Sequence, residues 1–346
     1  MIWTEAGAHE VHPGVYRIPL PLPNDGLRAV NVYALEEPDG LILIDAGWAF
    51  PGSAEHLRRA LGSIGHDLSD IRRILVTHVH RDHYTQAVEL RRLVGSKVGL
   101  GSGERPGLAL LNSHATNAPF SSFAVLRRAG AAELVRRITA SLREDFDPRM
   151  WEEPDEWVGP GELVAGSRTL RVVPTPGHTR GHVVFLDTEA GLLFSGDHVL
   201  PHITPSIGFE LAPGRLPLGD YLDSLHLMTT FADGLLLPAH GPVAPSVHKR
   251  VGELLTHHEE RLAQAERIAV TGPDDAYDVA RQLTWTRRSI PFADLDDFNR
   301  MLAVSETVAH LDLLVARGRL DRTEDAGVSR YLPPAGPAGD GMTVSG

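Results

Sequence analysis

The 346-residue sequence contains no cysteine, which excludes disulfide scaffolding and thiolate metal sites together. It also lacks any apolar run near the ~18 residues that a membrane-spanning helix needs. Its first residues, Met1-Ile2-Trp3-Thr4-Glu5, carry neither a basic n-region nor an apolar h-region. No membrane association and a cytoplasmic location are the resulting expectations. Positive charge is in deficit: net charge is −12, whereas a protein that grips phosphate backbones through bulk electrostatics carries the opposite sign. What remains is ordinary for a globular chain, 42% hydrophobic and long enough for about two domains. Histidine is abundant at 18 residues, and the question is how many share a metal.

The stretch Thr77-His78-Val79-His80-Arg81-Asp82-His83 concentrates them, with three histidines and an aspartate in six positions. It follows the apolar, β-rich run Ile74-Leu75-Val76 and precedes an amphipathic stretch (Ala87, Val88, Leu90, Val94). That places the cluster on a loop at the C-terminal end of a buried strand, where α/β sheets build their sites. His78 and His80 can converge on one point there while Asp82 and His83 turn toward a second. Imidazole and carboxylate together suit a borderline cation such as zinc.

Other strand ends repeat the pattern. Val15 to Leu20 reads as an edge strand. The runs Asn31 to Leu35 and Leu41 to Asp45 flank a Glu37-Pro38-Asp39-Gly40 turn. The second run stops at Asp45-Ala46-Gly47, where the acid serves either a site or a turn. Residues 53–62 look helical. After Thr169 to Val173 comes Pro174-Thr175-Pro176-Gly177-His178, a rigid turn presenting His178 as a third nitrogen ligand. His182 supports the site or the structure. Leu192-Leu193-Phe194 runs into Ser195-Gly196-Asp197, and Leu235 to Pro238 into Ala239-His240. These ligands sort into two sets: His78, His80 and His178 on one metal, Asp82, His83 and His240 on the other. Asp197 lies between them, since each carboxylate oxygen can take one cation. A shared water or hydroxide completes both shells, and two cations roughly 3.5–4 Å apart lower its pKa toward ~7.

This order of strand-end clusters resembles the metallo-β-lactamase superfamily over about residues 10–250. The His-x-His-x-Asp-His loop stands at His78 to His83, and the proline-glycine-histidine turn at His178. Asp197 matches the bridging acid and His240 the late histidine. The resemblance implies that Asp45 orients a ligand histidine. It also implies an α+β fold: a four-layer αββα sandwich of two mixed sheets, helices on both outer faces, and a dinuclear site at one edge. Two divalent ions follow, zinc first, with iron or manganese as alternatives. The family includes glyoxalase II-like thioesterases, lactonases, β-lactamases, ribonucleases and flavin-dependent diiron oxidoreductases. The full seven-ligand set, without cysteine, resembles the glyoxalase, lactonase and ribonuclease branches. Tyr84-Thr85-Gln86 stands after His83, where many relatives carry glycines.

Within a catalytic domain at 1–245, the strand pattern lapses over about 103–161, which reads as a helical insertion. Short helices are expected near 106–112 and 121–129. Leu134, Val135, Ile138, Leu142 and Phe146 share a further helical face. The insertion serves as decoration, lid or the wall of an acyl-binding pocket. Residues 246–332 read as an appended module. Helices near 246–268, 274–284 and 295–317 are followed by a two-stranded wing, with Phe298, Met301, Leu302, Val308, Leu311 and Leu314 inward and Gly318 ending the last helix. This order resembles the winged-helix extension of one superfamily branch, which holds thioesterase-like hydrolases and an endoribonuclease. From 294 to 332, five Arg face eight Asp plus Glu, which argues against nucleic acid. Packing on the catalytic domain or a homodimer contact is the better role. His257 and His258 read as surface or packing histidines. The tail 333–346 reads as disordered.

The reaction expected is hydrolysis of a small-molecule carbonyl electrophile, a thioester, ester or lactone that carries an acyl group. Metal-bound hydroxide attacks, and Asp82 or Asp197 manages the proton. His202 and Tyr84 are the expected substrate contacts. A metal-dependent endoribonuclease is the alternative, and a diiron oxidoreductase stands behind it, since no flavin-binding segment follows residue 250.

Overall fold

The computed structural model describes residues 2–23, 25–114, 120–142, 146–286 and 288–334. Two compact units emerge: Met1–Ser121 with Leu142–His257, and Ser122–Ser141 with His258–Gly346.

The first unit is built on two sheets. One has seven strands in sequence order: β1 (His9–His12), β2 (Val15–Pro21), β3 (Ala29–Glu37), β4 (Gly40–Ile44), β5 (Ile71–Val76), β6 (Lys97–Gly101) and β7 (Glu156–Val158). The other runs β12-β11-β10-β9-β8, with β8 (Gly161–Ala165), β9 (Arg168–Pro174), β10 (Val183–Asp187), β11 (Leu192–Gly196) and β12 (Leu235–Pro238). Alternation along β4 shows how the layers arise. Leu41 and Leu43 join a core with α1 (Ser53–Gly62) and α2 (Arg81–Val94), whereas Ile42 and Ile44 face the core shared with Phe185, Phe194 and Leu237 of the second sheet. Each such fully buried side chain contributes about 1.5–3 kcal/mol. Leu108 and Leu111 of α3 (Arg105–His114) join the first core. Ser224 of α6 (Pro217–Met228) donates to the carbonyl of Pro176 at 2.9 Å, and buried Met228 lines a cavity together with Val173, Val184 and Leu193 on the outer face of the second sheet. Helix, sheet, sheet, helix is the expected layering.

Parallel pairing sets the site's location. β4, β5 and β6 run parallel, as do β11 and β12, so their C-terminal ends open on a common edge.

In the second unit, α4 (Phe120–Arg128) and α5 (Ala132–Ser141) accompany the C-terminal elements: α8 (Ala276–Gln282), a short β13–β14 hairpin (Thr284–Trp285, Ile290–Pro291), α9 (Asp297–Ala316), and β15 (Asp321–Asp325) paired with β16 (Val328–Leu332). Helix α7 (Val247–Thr271) runs from the first unit into the second. Asp312 accepts from Arg128, Arg322 and Tyr331, which fastens α4 to the final hairpin. Gly318, at φ +69, ends α9 as expected, and Ala326-Gly327 turn the hairpin with both φ values positive. His258 is buried against His310, a packing histidine.

Several expectations shift. Residues 103–161 are not one insertion: β7 belongs to the first sheet, and 122–141 cluster with the C-terminal unit. Helix α5 stops at Ser141, so Leu142 is exposed while Phe146 packs on the first sheet's core. Phe298, expected inward, is 52% exposed. Of the tail expected to be disordered, residues 335–346 lie outside the described residues. Among the described residues, no helix is long and apolar enough to cross a membrane.

Candidate metal centre

The clustered side chains follow the ends of strands, directly or on the helix that comes next. β5 delivers Thr77 to His80, and α2 starts at Arg81 with His80 as its N-cap. Asp82 and His83 therefore lie on the first turn of a helix rather than on a loop, where the helix dipole favours a carboxylate. The turn after β9 presents His178, β11 ends one residue before Asp197, and β12 two residues before His240.

The structure brings all seven together. His80 Nδ1 lies 3.1 Å from His78 Nε2 and 3.0 Å from His178 Nε2. His240 Nε2 lies 3.4 Å from Asp82 Oδ2, and His83 Nε2 3.7 Å from the same oxygen. Asp197 stands between the sets: Oδ2 is 3.4 Å from His178 Nε2, and Oδ1 is 3.4 Å from His240 and 3.7 Å from His83. In each triad the ligand atoms lie within 4.8 Å of one another. His83 Nε2, His240 Nε2 and Asp197 Oδ1 are buried without a hydrogen-bond partner in the protein. Such orphaned atoms are costly unless something else engages them, and their convergence fits a cation. His80 and Asp82 are partly exposed, so the cluster opens to solvent on that side.

Outer partners fix the imidazole tautomers. His83 Nδ1–H donates to Asp45 Oδ2 at 2.9 Å, His178 Nδ1–H to the Ser206 carbonyl at 2.8 Å, and His240 Nδ1–H to the Ala29 carbonyl at 2.8 Å. His78 Nδ1 is 3.0 Å from the Thr77 hydroxyl, which itself donates to Asp45 Oδ1 at 3.0 Å. These four rings turn Nε2 inward, leaving lone pairs for a metal. Asp45 also accepts the Thr77 N–H at 2.8 Å and adopts φ +59 to do so. His182 Nε2 accepts the Asp197 N–H at 3.2 Å and thereby holds that residue's backbone.

Charge follows the same geometry. Burial, with neighbouring histidines, holds His78 well below the usual imidazole range and His80 down to about 3; burial also lowers His178 to about 4. These three are neutral and ready to bind. Burial disfavours protonation of His83 too, but Asp45, Asp82 and Asp197 overcome it and raise the group to about 10. Asp82 resists burial through His83 and His240 and stays far below the carboxylate range. Without a cation, the His83 proton thus offsets the charge of the Asp45, Asp82 and Asp197 carboxylates around it.

Of the expected substrate contacts, His202 is exposed and lies against Gly241, next to His240. Tyr84 does not reach the site. It is fully buried in the first sheet's core, and its hydroxyl donates to the Glu152 carbonyl.

Two groups escaped the sequence reading. Asn31 donates through Nδ2 to the carbonyls of Pro238 (2.9 Å) and Gly241 (2.8 Å), bracketing His240, while its Oδ1 accepts from buried Arg17. A polar residue inside the apolar run of β3 was its only signal. Glu104, just past β6, accepts from Thr179 Oγ1 and from the Val79 N–H, and burial raises it to about 7. Gly101-Ser102-Gly103-Glu104 repeats the acid-beside-glycine pattern of Asp45-Ala46-Gly47.

Residues 25–240 match the Metallo-beta-lactamase superfamily, and residues 262–334 match the Metallo-beta-lactamase-like, C-terminal domain. "Probable metallo-hydrolase YqjP" of Bacillus subtilis is 25% identical over 319 residues, 87% of this chain and 91% of that protein. "Lactamase-like protein nscB" of Aspergillus fumigatus is 29% identical over 237 residues, 68% of this chain; the match spans about half, 55%, of the fungal protein. A metallo-beta-lactamase family protein from Thermus thermophilus superposes with a TM-score of 0.77 at 26% identity, covering 94% of this chain and 100% of its own. The strand-end histidines and aspartates, the double-sheet architecture and these matches agree: the chain belongs to the metallo-beta-lactamase superfamily and is a metal-dependent hydrolase.

Proposed function

We propose that the chain is a dinuclear zinc hydrolase of a carbonyl electrophile, a thioester, ester or lactone. The observation that carries this reading is Asp197, whose two carboxylate oxygens face different triads. An all-imidazole and carboxylate donor set without sulfur suits zinc. His78, His80 and His178 would hold one divalent cation and Asp82, His83 and His240 a second, with Asp197 between them, and the pair would supply Lewis acidity to the carbonyl and acidify water at the site.

The chain's own residues do the rest. Asp82, held as a carboxylate at the partly exposed side, takes the proton released as water attacks and returns it to the leaving group. Asp197 keeps the two triads in register. His202, exposed beside the mouth, contacts the substrate.

The test pairs elemental analysis of protein purified without added metal with turnover of a small panel of thioesters, esters and lactones. About two zinc per chain, with activity abolished by chelation and by His80→Ala, is the expected result. Two irons without hydrolysis would move the assignment to redox chemistry, and cleavage of RNA alone would replace the carbonyl substrate. His202→Ala is expected to raise KM by roughly 2–10-fold with kcat little changed, the loss of one solvent-exposed hydrogen bond. Identical steady-state parameters would remove His202 from the site.

A further inference from the structure

We propose that Glu104 is a positioning residue that clamps the two ligand-bearing loops of the first triad to each other. It rests on the two-metal reading above and adds to it the group that makes the first metal position stiff.

His78, His80 and His178 come from different sheets. The first two follow β5 of the seven-stranded sheet, and the third follows β9 of the five-stranded one. Among the described residues no strand pairing joins those loops; the Val183 N–H, donated to the Thr77 carbonyl at 2.9 Å, ties their bases, and the ligand positions beyond it need a further contact to hold their spacing. Glu104 sits between them, 2% exposed, at the end of the short turn after β6. One of its oxygens, Oε1, accepts both the Val79 N–H, 3.4 Å away between His78 and His80, and the hydroxyl of Thr179, which follows His178. A single acceptor atom therefore spans the seam.

The backbone supports the same contact. A Cβ on Gly181 would lie 2.1 Å from the Glu104 nitrogen, and one on Gly103 would lie 2.7 Å from the Gly181 Cα. The segment carrying Glu104 is thus pressed main chain to main chain against the segment that carries His178. Glycine at both positions permits this approach, and no side chain larger than hydrogen fits. Glu210 secures the next residue, accepting the Arg180 N–H at 2.6 Å. Glu104 touches no reacting atom, and its effect is exerted through the placement of His80 and His178.

Because both hydrogen bonds end on one oxygen, the carboxylate's charge is not what the clamp requires. Glutamine retains that acceptor and alanine removes it, which separates hydrogen bonding from charge. Stepwise zinc binding would be measured by competition with a chromophoric chelator on full-length wild type, Glu104→Gln, Glu104→Ala and Thr179→Val. Amide exchange at Val79 would be followed in the same metal-free proteins. Expected is a loss of roughly 10–100-fold in affinity for one of the two zinc equivalents in Glu104→Ala, a loss in the same direction in Thr179→Val, and near-wild-type binding in Glu104→Gln. Val79 exchange accelerates only in Glu104→Ala. Should Glu104→Ala fail to fold, Thr179→Val against Glu104→Gln still decides the matter. Unchanged zinc binding in the folded variants, equal weakening of both equivalents, or a Glu104→Gln protein as weak as Glu104→Ala would overturn the clamp. Wild-type protein that takes up fewer than two zinc ions would refute the two-metal reading instead, and Val79 exchange would then decide the clamp alone.

Discussion

Asp197→Asn is expected to lower hydrolysis by at least 10²–10³-fold, on the order of the loss when one preorganised electrostatic contact is deleted, and to reduce bound zinc from about two to about one per chain. Asparagine keeps the size and one oxygen but exchanges the other for an amide nitrogen, which cannot ligate as a carboxylate oxygen does. The oxygens are not equivalent in the structure. Oδ2 faces His178 of the first triad, and Oδ1 faces His83 and His240 of the second. Whichever way the amide turns, one triad faces the amide nitrogen and loses its oxygen donor, and both lose the negative charge. The backbone of Asp197 is held separately by His182 Nε2, so the fold survives and near-UV circular dichroism is expected to match wild type. Elemental analysis and turnover decide the outcome: two zinc ions and full activity in Asp197→Asn would show that the carboxylate does not bridge.

The position of Asp197 among the histidines was legible in the sequence because the clustered side chains follow places where an apolar run stops. Ile74-Leu75-Val76, Leu192-Leu193-Phe194 and Leu235-Leu236-Leu237 are each followed within three residues by His78, Asp197 or His240, and parallel neighbours carry those ends to one edge. Residues whose partners are distant left no comparable mark. Asn31 reaches carbonyls 207 and 210 positions away, and nothing local in β3 announces that reach. Likewise, the helical face of α5 was readable from Leu134, Val135 and Ile138, but periodicity says only that a face is buried, not which unit buries it. Its packing with the C-terminal elements, through contacts such as Arg137 to Asp297 at 2.9 Å, is purely tertiary. Tyr84 shows the opposite failure, where adjacency to a motif suggested a contact. Once α2 begins at Arg81, each residue turns by about 100°, so Tyr84 points nearly opposite to Asp82 and enters the core.

Gly177→Ala is expected to destabilise the protein by roughly 2–6 kcal/mol, the sum of a strained backbone residue and an overpacked core contact. The glycine has φ +134, a region that L residues with a side chain rarely adopt. Its Cβ would lie 2.4 Å from the Tyr221 Cβ and 2.5 Å from the Tyr221 Cα, within the backbone of α6. Neither side can yield cheaply. The Tyr221 hydroxyl donates to the His198 carbonyl at 2.9 Å, and Ser224 one turn further donates to the Pro176 carbonyl at 2.9 Å. Turn and helix are therefore pinned on both sides of the clash, and the displaced element carries His178 with it. Loss of stability and loss of the first metal position should appear together. Gly252→Ala is the control: this exposed glycine inside α7 has open space where the Cβ would stand, and alanine there is expected to be neutral or to stabilise by up to about 1 kcal/mol. Denaturant melts of the three metal-free proteins measure both values, and a Gly177→Ala midpoint equal to that of Gly252→Ala would show that the turn tolerates a side chain and that His178 is not fixed by it.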